Sequence, residues 1–183
     1  IQENLLTKYE EVIGDVYSPL GINSIQKTAL ELKQLCADLY IEKGLEKWSN
    51  YDIVLGGGYI SCRGDYLPAG EVSYADIYSL FPFDNDLYLC SISGQNLLDR
   101  FINNDNANYF ISYSSYGSSV KNSISPSGTY YIISDTYSLD YKDNYLTAVE
   151  KFDSNGIYAR DLIAEYIKTN ELKTDNAPTS NSI

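Results

Sequence analysis

The 183-residue chain contains no histidine. That absence removes Ser-His-Asp and Cys-His activation of a nucleophile and every metal centre built on imidazole. Methionine is missing as well, so the chain carries no start residue of its own and begins at Ile1. The expectation is an excised or processed C-terminal part of a longer protein. Cysteine is scarce: Cys36, Cys62 and Cys90 form an odd set with neither metal spacing nor a disulfide framework. Cys36 and Cys90 lie in apolar contexts and read as small buried hydrophobes, and Cys62 reads as a packing residue. Positive charge is scarce too, with 13 Lys and Arg against 25 Asp and Glu and a net charge of -12. A nucleic-acid polymer is excluded as partner, because such binding is driven by Lys and Arg on phosphates. An anionic membrane surface is disfavoured for the same reason. One small nucleotide needs only a local cation and is not excluded. The arginines are Arg63, Arg100 and Arg160, and the last two fall in predicted amphipathic helices. Arg63 is left as the one arginine at a motif. No apolar run approaches membrane-spanning length, so no membrane insertion is expected.

Tyrosine, by contrast, is abundant, with 19 copies. Tyrosine favours strands and half-buried surfaces and offers flat faces to ligands. The length fits one domain with a real core. Residues 1–20 read as a linker or leading segment, 21–170 as the domain, and 171–183 as a polar, disordered tail. Ile25, Ala29, Leu32, Cys36 and Leu39 recur at helical spacing, which predicts a helix capped by Asn23 and ended or interrupted by Gly44. Tyr51–Leu55, Leu87–Ile92, Tyr109–Tyr113, Tyr130–Ser134 and Leu146–Phe152 read as strands. Ser73 with Asp76 caps a helix that Pro82 stops, and Ser93-Gly94 opens another. Residues 114–128 read as a loop, Asp153-Ser154-Asn155-Gly156 as a turn, and Tyr158–Lys168 as the last helix. Helices and strands mix without a βαβ rhythm, which predicts an α+β fold, a single mixed helix-sheet domain. The acidic runs Asp84-Asn85-Asp86 and Asp153–Gly156 lack calcium-loop spacing and are explained by turn chemistry.

The most informative stretch is Leu55-Gly56-Gly57-Gly58-Tyr59-Ile60-Ser61-Cys62-Arg63, followed by Phe81-Pro82-Phe83-Asp84-Asn85. The glycines read as a strand ending in a backbone loop, where glycine tolerates positive φ and lets a ligand approach the main chain. Glycine loop, cation and aromatic turn together suggest a pocket for a flat, anionic or polar ligand. Blander readings exist: a tight turn for the glycines, a surface salt bridge with Asp65 for Arg63, and core packing for Phe83.

These stretches resemble the C-terminal, substrate-specificity domain of the family of 5'-nucleotidases, UDP-sugar hydrolases and cyclic-nucleotide phosphodiesterases. Leu35-Cys36-Ala37-Asp38 is similar to "NL-x-AD" and Asp52–Gly58 to "A-D-x-x-x-x-N-G-G-x-R". Gly70–Asp76 is similar to "G-x-I-T-x-x-D", Phe81–Asn85 to "x-P-F-x-N", and Leu89–Gly94 to "V-x-L-T-G". A weaker match spans Tyr130–Tyr141, and the whole covers residues 10–170. The resemblance implies a fold of the 5'-nucleotidase C-terminal type that binds the nucleoside part of a nucleotide. Phe83 falls on one base-stacking aromatic, and Tyr137 or Tyr141 on the other. Gly56, Gly57, Gly58 and Arg63 would hold the rest of the substrate. The family's loop asparagine is replaced by Gly56, its arginine position falls near Ser61, and an arginine before the first helix is absent. Lys27 or Lys33 is nearest to that position, and each reads as a solvated helix charge. The resemblance also implies two divalent metal ions on an N-terminal metallophosphoesterase domain of the same polypeptide, with no cofactor in this chain and no activity of this chain alone. It implies a secreted bacterial protein, extracellular, in the cell wall or periplasmic. The rival expectation is a catalytically silent surface module that binds a sugar or another flat ligand.

Overall fold

The computed structural model describes residues 16–142, 144–153 and 158–169. The expected tail, most of the expected leading segment and most of the Asp153–Gly156 turn lie outside the described residues. β1 (Pro19–Asn23) and β2 (Lys27–Thr28) lead into α1 (Ala29–Lys47), followed by β3 (Ile53–Tyr59), β4 (Tyr66–Leu67) and β5 (Gly70–Ser73). Next come α2 (Tyr74–Leu80), β6 (Leu87–Ser93), α3 (Gly94–Leu97), β7 (Tyr109–Tyr113) and α4 (Ser115–Val120). β8 (Thr129–Asp135), β9 (Thr147–Lys151) and α5 (Ala159–Thr169) complete the order. Wider π-type turns extend α3 over Leu98–Ile102 and follow β8 at Ser138–Lys142. Five strands form one mixed sheet, in the order β7-β3-β8-β6-β9. Among these described strands, β3 and β8 pair in parallel and the other neighbours pair antiparallel. Two small antiparallel ribbons, β1 with β5 and β2 with β4, stand apart from the sheet. The fold is α+β, as the element pattern predicts.

The sheet has a core on each face. Ile132 and Ile133 of β8 are both fully buried and belong to opposite cores, as a strand's alternation requires. On one side Ile133 and Leu89 meet Leu32, Cys36 and Tyr40 of α1 and Leu162 of α5. On the other, Ile132, Cys90 and Ile92 meet Leu97 and Phe101. Burying each such side chain is worth about 1.5–3 kcal/mol. Cys36 and Cys90 are buried, as their apolar contexts predict.

The first helix begins later than its apolar spacing predicts. Its N-cap is Thr28, in a capping box with Glu31. Asn23 instead ends β1, where its side-chain amide donates to the carbonyls of Leu67 and Pro68 at 3.3 and 2.7 Å. Pairing of Asn23 with Gly70 has already claimed this backbone for a strand, so it cannot cap a helix. Gly44 does not end the helix. A Cβ there would come within 2.7 Å of Ile133, so glycine lets α1 lie flat on the sheet. Lys33 is not a solvated charge: it is 9% exposed, and its ammonium donates to Asn108 at 3.0 Å. The stretch 114–128 contains α4, capped by Ser114, whose hydroxyl accepts from the Gly117 amide at 2.8 Å. The caps Ser73 and Ser93 stand where the sequence places them.

The largest departure concerns Gly56, Gly57 and Gly58. They form no loop but the middle of β3, paired with Ser112, Ile111 and Phe110 of β7. A Cβ on Gly56 would lie 2.5 Å from the Ile41 nitrogen of α1. One on Gly57 would strike the Phe110 carbonyl and come within 2.9 Å of the Ile111 Cα. Gly57 and Gly58 have φ of 136° and 149°, a region that disfavours side chains. The glycines therefore serve close approach of protein to protein, not of ligand to main chain. Gly57→Ala should lower the unfolding free energy by about 2–5 kcal/mol, as overpacking and backbone strain add. Urea denaturation at unchanged m-value measures this, and a loss below about 0.5 kcal/mol would contradict the packing described.

Candidate functional site

Past the glycines, β3 ends at Tyr59 and the chain turns outward. The Ile60 amide donates to the Asn108 carbonyl at 2.9 Å, and the Arg63 amide donates to the Leu80 carbonyl at 2.8 Å. The second bond ties Arg63 to the end of α2, just before Phe81-Pro82-Phe83. Phe81 is 3% exposed and packs into the core, while Phe83 is only half-buried. The two phenylalanines around Pro82 thus divide between core and surface. The Arg63 guanidinium lies 5.0 Å from the centre of the Phe83 ring.

Here the chain forms a cleft of about 250 Å³, lined by Tyr59, Ser61, Arg63, Phe83, Asn85 and Tyr137. Arg63, Phe83 and Tyr137, singled out from sequence, line this one cleft. Gly56, Gly57 and Gly58 are not among its lining residues, because α1, β7 and the Ser134 and Ser138 side chains close them in. Tyr141 lies on the π-type turn after β8, and its side chain is outside the described residues. Lys33 is engaged with Asn108 instead of the cleft. Ser61 and Asn85, the latter following Phe81-Pro82-Phe83 in the chain, also stand on the wall. Tyr59 had no motif to mark it: among 19 tyrosines, only its place directly after the glycines sets it apart.

Two sets of hydrogen bonds fix the walls. The Asp86 amide donates to the Thr136 hydroxyl at 3.0 Å, and the Thr136 amide donates to the Asp86 carbonyl at 2.9 Å. The turn after Phe83 is thereby coupled to the residue before Tyr137. The second set centres on Asp135, which is 2% exposed. Its carboxylate accepts from the Tyr40 hydroxyl and the Ser138 amide, both at 2.9 Å. The Ser138 hydroxyl accepts from the Tyr59 amide at 3.0 Å, and the Ser134 hydroxyl donates to the Gly57 carbonyl at 2.8 Å. Tyr59 and Tyr137 are thus held side by side, their ring centres 5.6 Å apart. Burial raises the Asp135 carboxyl above its ordinary range, although the hydrogen bonds it accepts pull it back. Burial, then the Asp135 charge, pushes the Tyr40 hydroxyl well up.

The cleft combines ring faces, one cation, one amide and a hydroxyl. That set suits a flat heteroaromatic group carrying polar edges and an anionic extension. Among the described residues no group of three or more His, Cys, Asp or Glu side chains could hold a metal ion. No described helix is long and apolar enough to cross a membrane.

The family of 5'-nucleotidase C-terminal domains matches residues 12–156. No curated protein matches the chain. Among solved structures, the 5'-nucleotidase precursor of Thermus thermophilus superposes with a TM-score of 0.58 at 13% identity, over 92% of this chain and 40% of that one. A candidate 5'-nucleotidase of Staphylococcus aureus, solved with alpha-ketoglutarate, gives 0.54 at 14% identity, over 94% and 42%. The Haemophilus influenzae NAD nucleotidase gives 0.51 at 12% identity, over 91% and 38%. At these identities the likeness is one of fold. The chain spans about two fifths of the length of these proteins.

The raised Asp135 carboxyl has a testable sign. Folded Asp135 takes up its proton more readily than the unfolded chain, whose carboxyl titrates near about 3.9. Its contribution to stability is therefore fullest below that value, declines as pH rises through the folded-state pKa, and is flat above it. The stability of the parent chain minus that of Asp135→Asn should fall as pH rises from about 3.9. Denaturant titrations at a series of pH values measure it, and a pH-independent difference would contradict the assigned shift.

Proposed function

The chain belongs to the family of 5'-nucleotidase C-terminal domains, and we propose that its cleft holds the nucleoside part of a nucleotide for hydrolysis by another domain of the same polypeptide. One observation carries this reading: Phe83 and Tyr137, distant in sequence, line one cleft together with Arg63. In this reading the two rings stack on the base, with Tyr141 the alternative for the second ring. Each stacking contact is worth about 1–3 kcal/mol per base. Asn85 offers both a donor and an acceptor to the base edge. Arg63, a planar fork, reaches toward the anionic or carbonyl-rich part of the substrate.

The chemistry then belongs elsewhere. The sequence has no histidine, and the described residues offer no cluster of metal ligands. A two-metal site does not fit the described residues, and the two divalent ions are assigned to an N-terminal metallophosphoesterase domain. Such a pair supplies an activated water and charge stabilisation to phosphate-ester hydrolysis. This chain's part is to bind and orient. The same reading places the protein outside the bacterial cytoplasm: extracellular, in the cell wall or periplasmic.

Two measurements test the reading. Adenosine titrated into the chain should shift tyrosine and phenylalanine NMR signals, and Phe83→Ala or Tyr137→Ala should weaken its binding by about 5–150-fold. Adenosine shifts indifferent to Phe83, Tyr137 and Tyr141 would favour the silent module that binds a sugar or other flat ligand. In the full-length protein, Arg63→Ala should raise KM about 10–150-fold, the worth of a charged hydrogen bond. The change in kcat should be smaller, because the contact serves ground and transition states alike. Arg63→Lys should restore only part of the loss, and an unchanged KM in Arg63→Ala would remove Arg63 from the site.

A further inference from the structure

Arg160 is the least expected cation of the fold. No motif marks it in the sequence, yet it is 6% exposed at the start of α5. All three of its nitrogens are engaged. Nε donates to the Tyr74 hydroxyl at 3.0 Å, Nη1 to the Phe83 carbonyl at 2.8 Å, and Nη2 to the Asp84 carboxylate. The guanidinium lies 4.9 Å from the centre of the Tyr78 ring and 4.6 Å from that of Tyr158. Tyr74 is held in turn, its hydroxyl donating to Asp161 at 2.5 Å.

We propose that Arg160 is the positioning residue for Phe83, the guanidinium clamping the Phe83–Asp84 segment so that the ring stands in the cleft. The clamp grips Phe83 through its own carbonyl and the next side chain, so it acts on the segment at the one point that aims the ring. A planar, multi-donor fork is required, because three acceptors lie around one group and lysine offers only a point charge. Packing of α5 rests on other residues: Leu162, Ile163 and Ile167 are buried in the core. Loss of the clamp therefore frees the Phe83 wall before it frees the helix. The Tyr137 wall has supports of its own in Asp135 and Ser138, besides the Asp86–Thr136 bonds that join it to the Phe83 side. Use of this wall for a ligand rests on the nucleoside reading above, whereas the placement of the ring does not.

The test uses the chain labelled with 4-fluorophenylalanine. Five phenylalanines give five fluorine signals, and Phe83→Tyr identifies the Phe83 signal by its loss. In Arg160→Gln the Phe83 signal should shift or broaden while those of Phe81, Phe101, Phe110 and Phe152 hold. The dissociation constant for adenosine should rise about tenfold. Asp84→Asn, at a side chain 66% exposed, should give a smaller change of the same kind without threatening the fold. Arg160→Lys should resemble Arg160→Gln, because charge alone does not replace the fork. If Arg160→Gln does not fold, Arg160→Lys and Asp84→Asn decide the matter by the same signal. An unmoved Phe83 signal, or all five signals moving together, would overturn the proposal. A parent chain that does not bind adenosine would count against the nucleoside reading alone, since the fluorine signals would still report whether Arg160 places Phe83.

Discussion

The side-chain-free stretch of β3 is the constraint on which the rest of the structure depends. With no Cβ at Gly56, the backbone of α1 at Ile41 can settle directly on the strand. With none at Gly58, the hydroxyls of Ser134 and Ser138 can crowd in from β8 and its following turn. Both contacts are closer than any other residue allows. They bring a helix, the neighbouring strands and a π-type turn to one line of backbone. Packing this close is unforgiving, since a well-filled interior has no slack for an added methyl. The same approach brings the Tyr59 amide within reach of Ser138. Tyr59 and Tyr137 become neighbours as a consequence of where glycine was placed.

On this frame, the polar groups are concentrated where the cleft needs stiffness. Asp135 is unfavourable to bury, because desolvation disfavours its charged form. Four neighbouring contributions offset that penalty: the Ser138 amide, the Tyr40 hydroxyl, the Ser138 side chain and the Tyr137 backbone. What results is a fixed backbone on either side of Tyr137. The opposite wall is secured differently. Asp86 is bonded to Thr136 through both backbone and side chain, and its carboxylate pairs with Lys151 at 2.7 Å. Arg160 holds the segment from below. Stacking is effective only between rings that are already placed, because ordering them on binding would cancel the gain.

Charge sets the character of the cleft. In a chain of net charge -12, one exposed guanidinium beside the Phe83 ring makes a local exception to a repulsive field. The Arg63 side chain is exposed and rests against the Phe83 ring. Arg160, with the same side chain, is buried and saturated with acceptors. The two arginines thus divide between the cleft surface and the buried scaffold.

Much was legible in one dimension. The caps Ser73 and Ser93, the strands from Leu87 and Tyr109, the last helix and the α+β mix follow from local rules: a hydroxyl three residues before an amide, a period of two or a period near 3.6. Those rules act over a few residues and need no partner. The pairing of Phe83 with Tyr137 and Arg63 was approachable only through family resemblance, because nothing local joins residues so far apart. The glycines show the limit most clearly. Their composition spoke of a free backbone, and a loop and a buried strand need that freedom equally. Whether ligand or protein approaches them was settled by α1 and β7, elements that lie outside their own segment. The same holds for Asn23, taken from a helix cap by pairing with β5, and for Arg160, turned from a helix charge into a clamp by Tyr74, Tyr78 and the Phe83 carbonyl. The sequence by itself determined the caps at Ser73 and Ser93, the strands from Leu87 and Tyr109, the last helix and the residue types the cleft draws on. Tertiary structure alone decided which of them meet, because burial and hydrogen-bond partners are properties of contacts between segments.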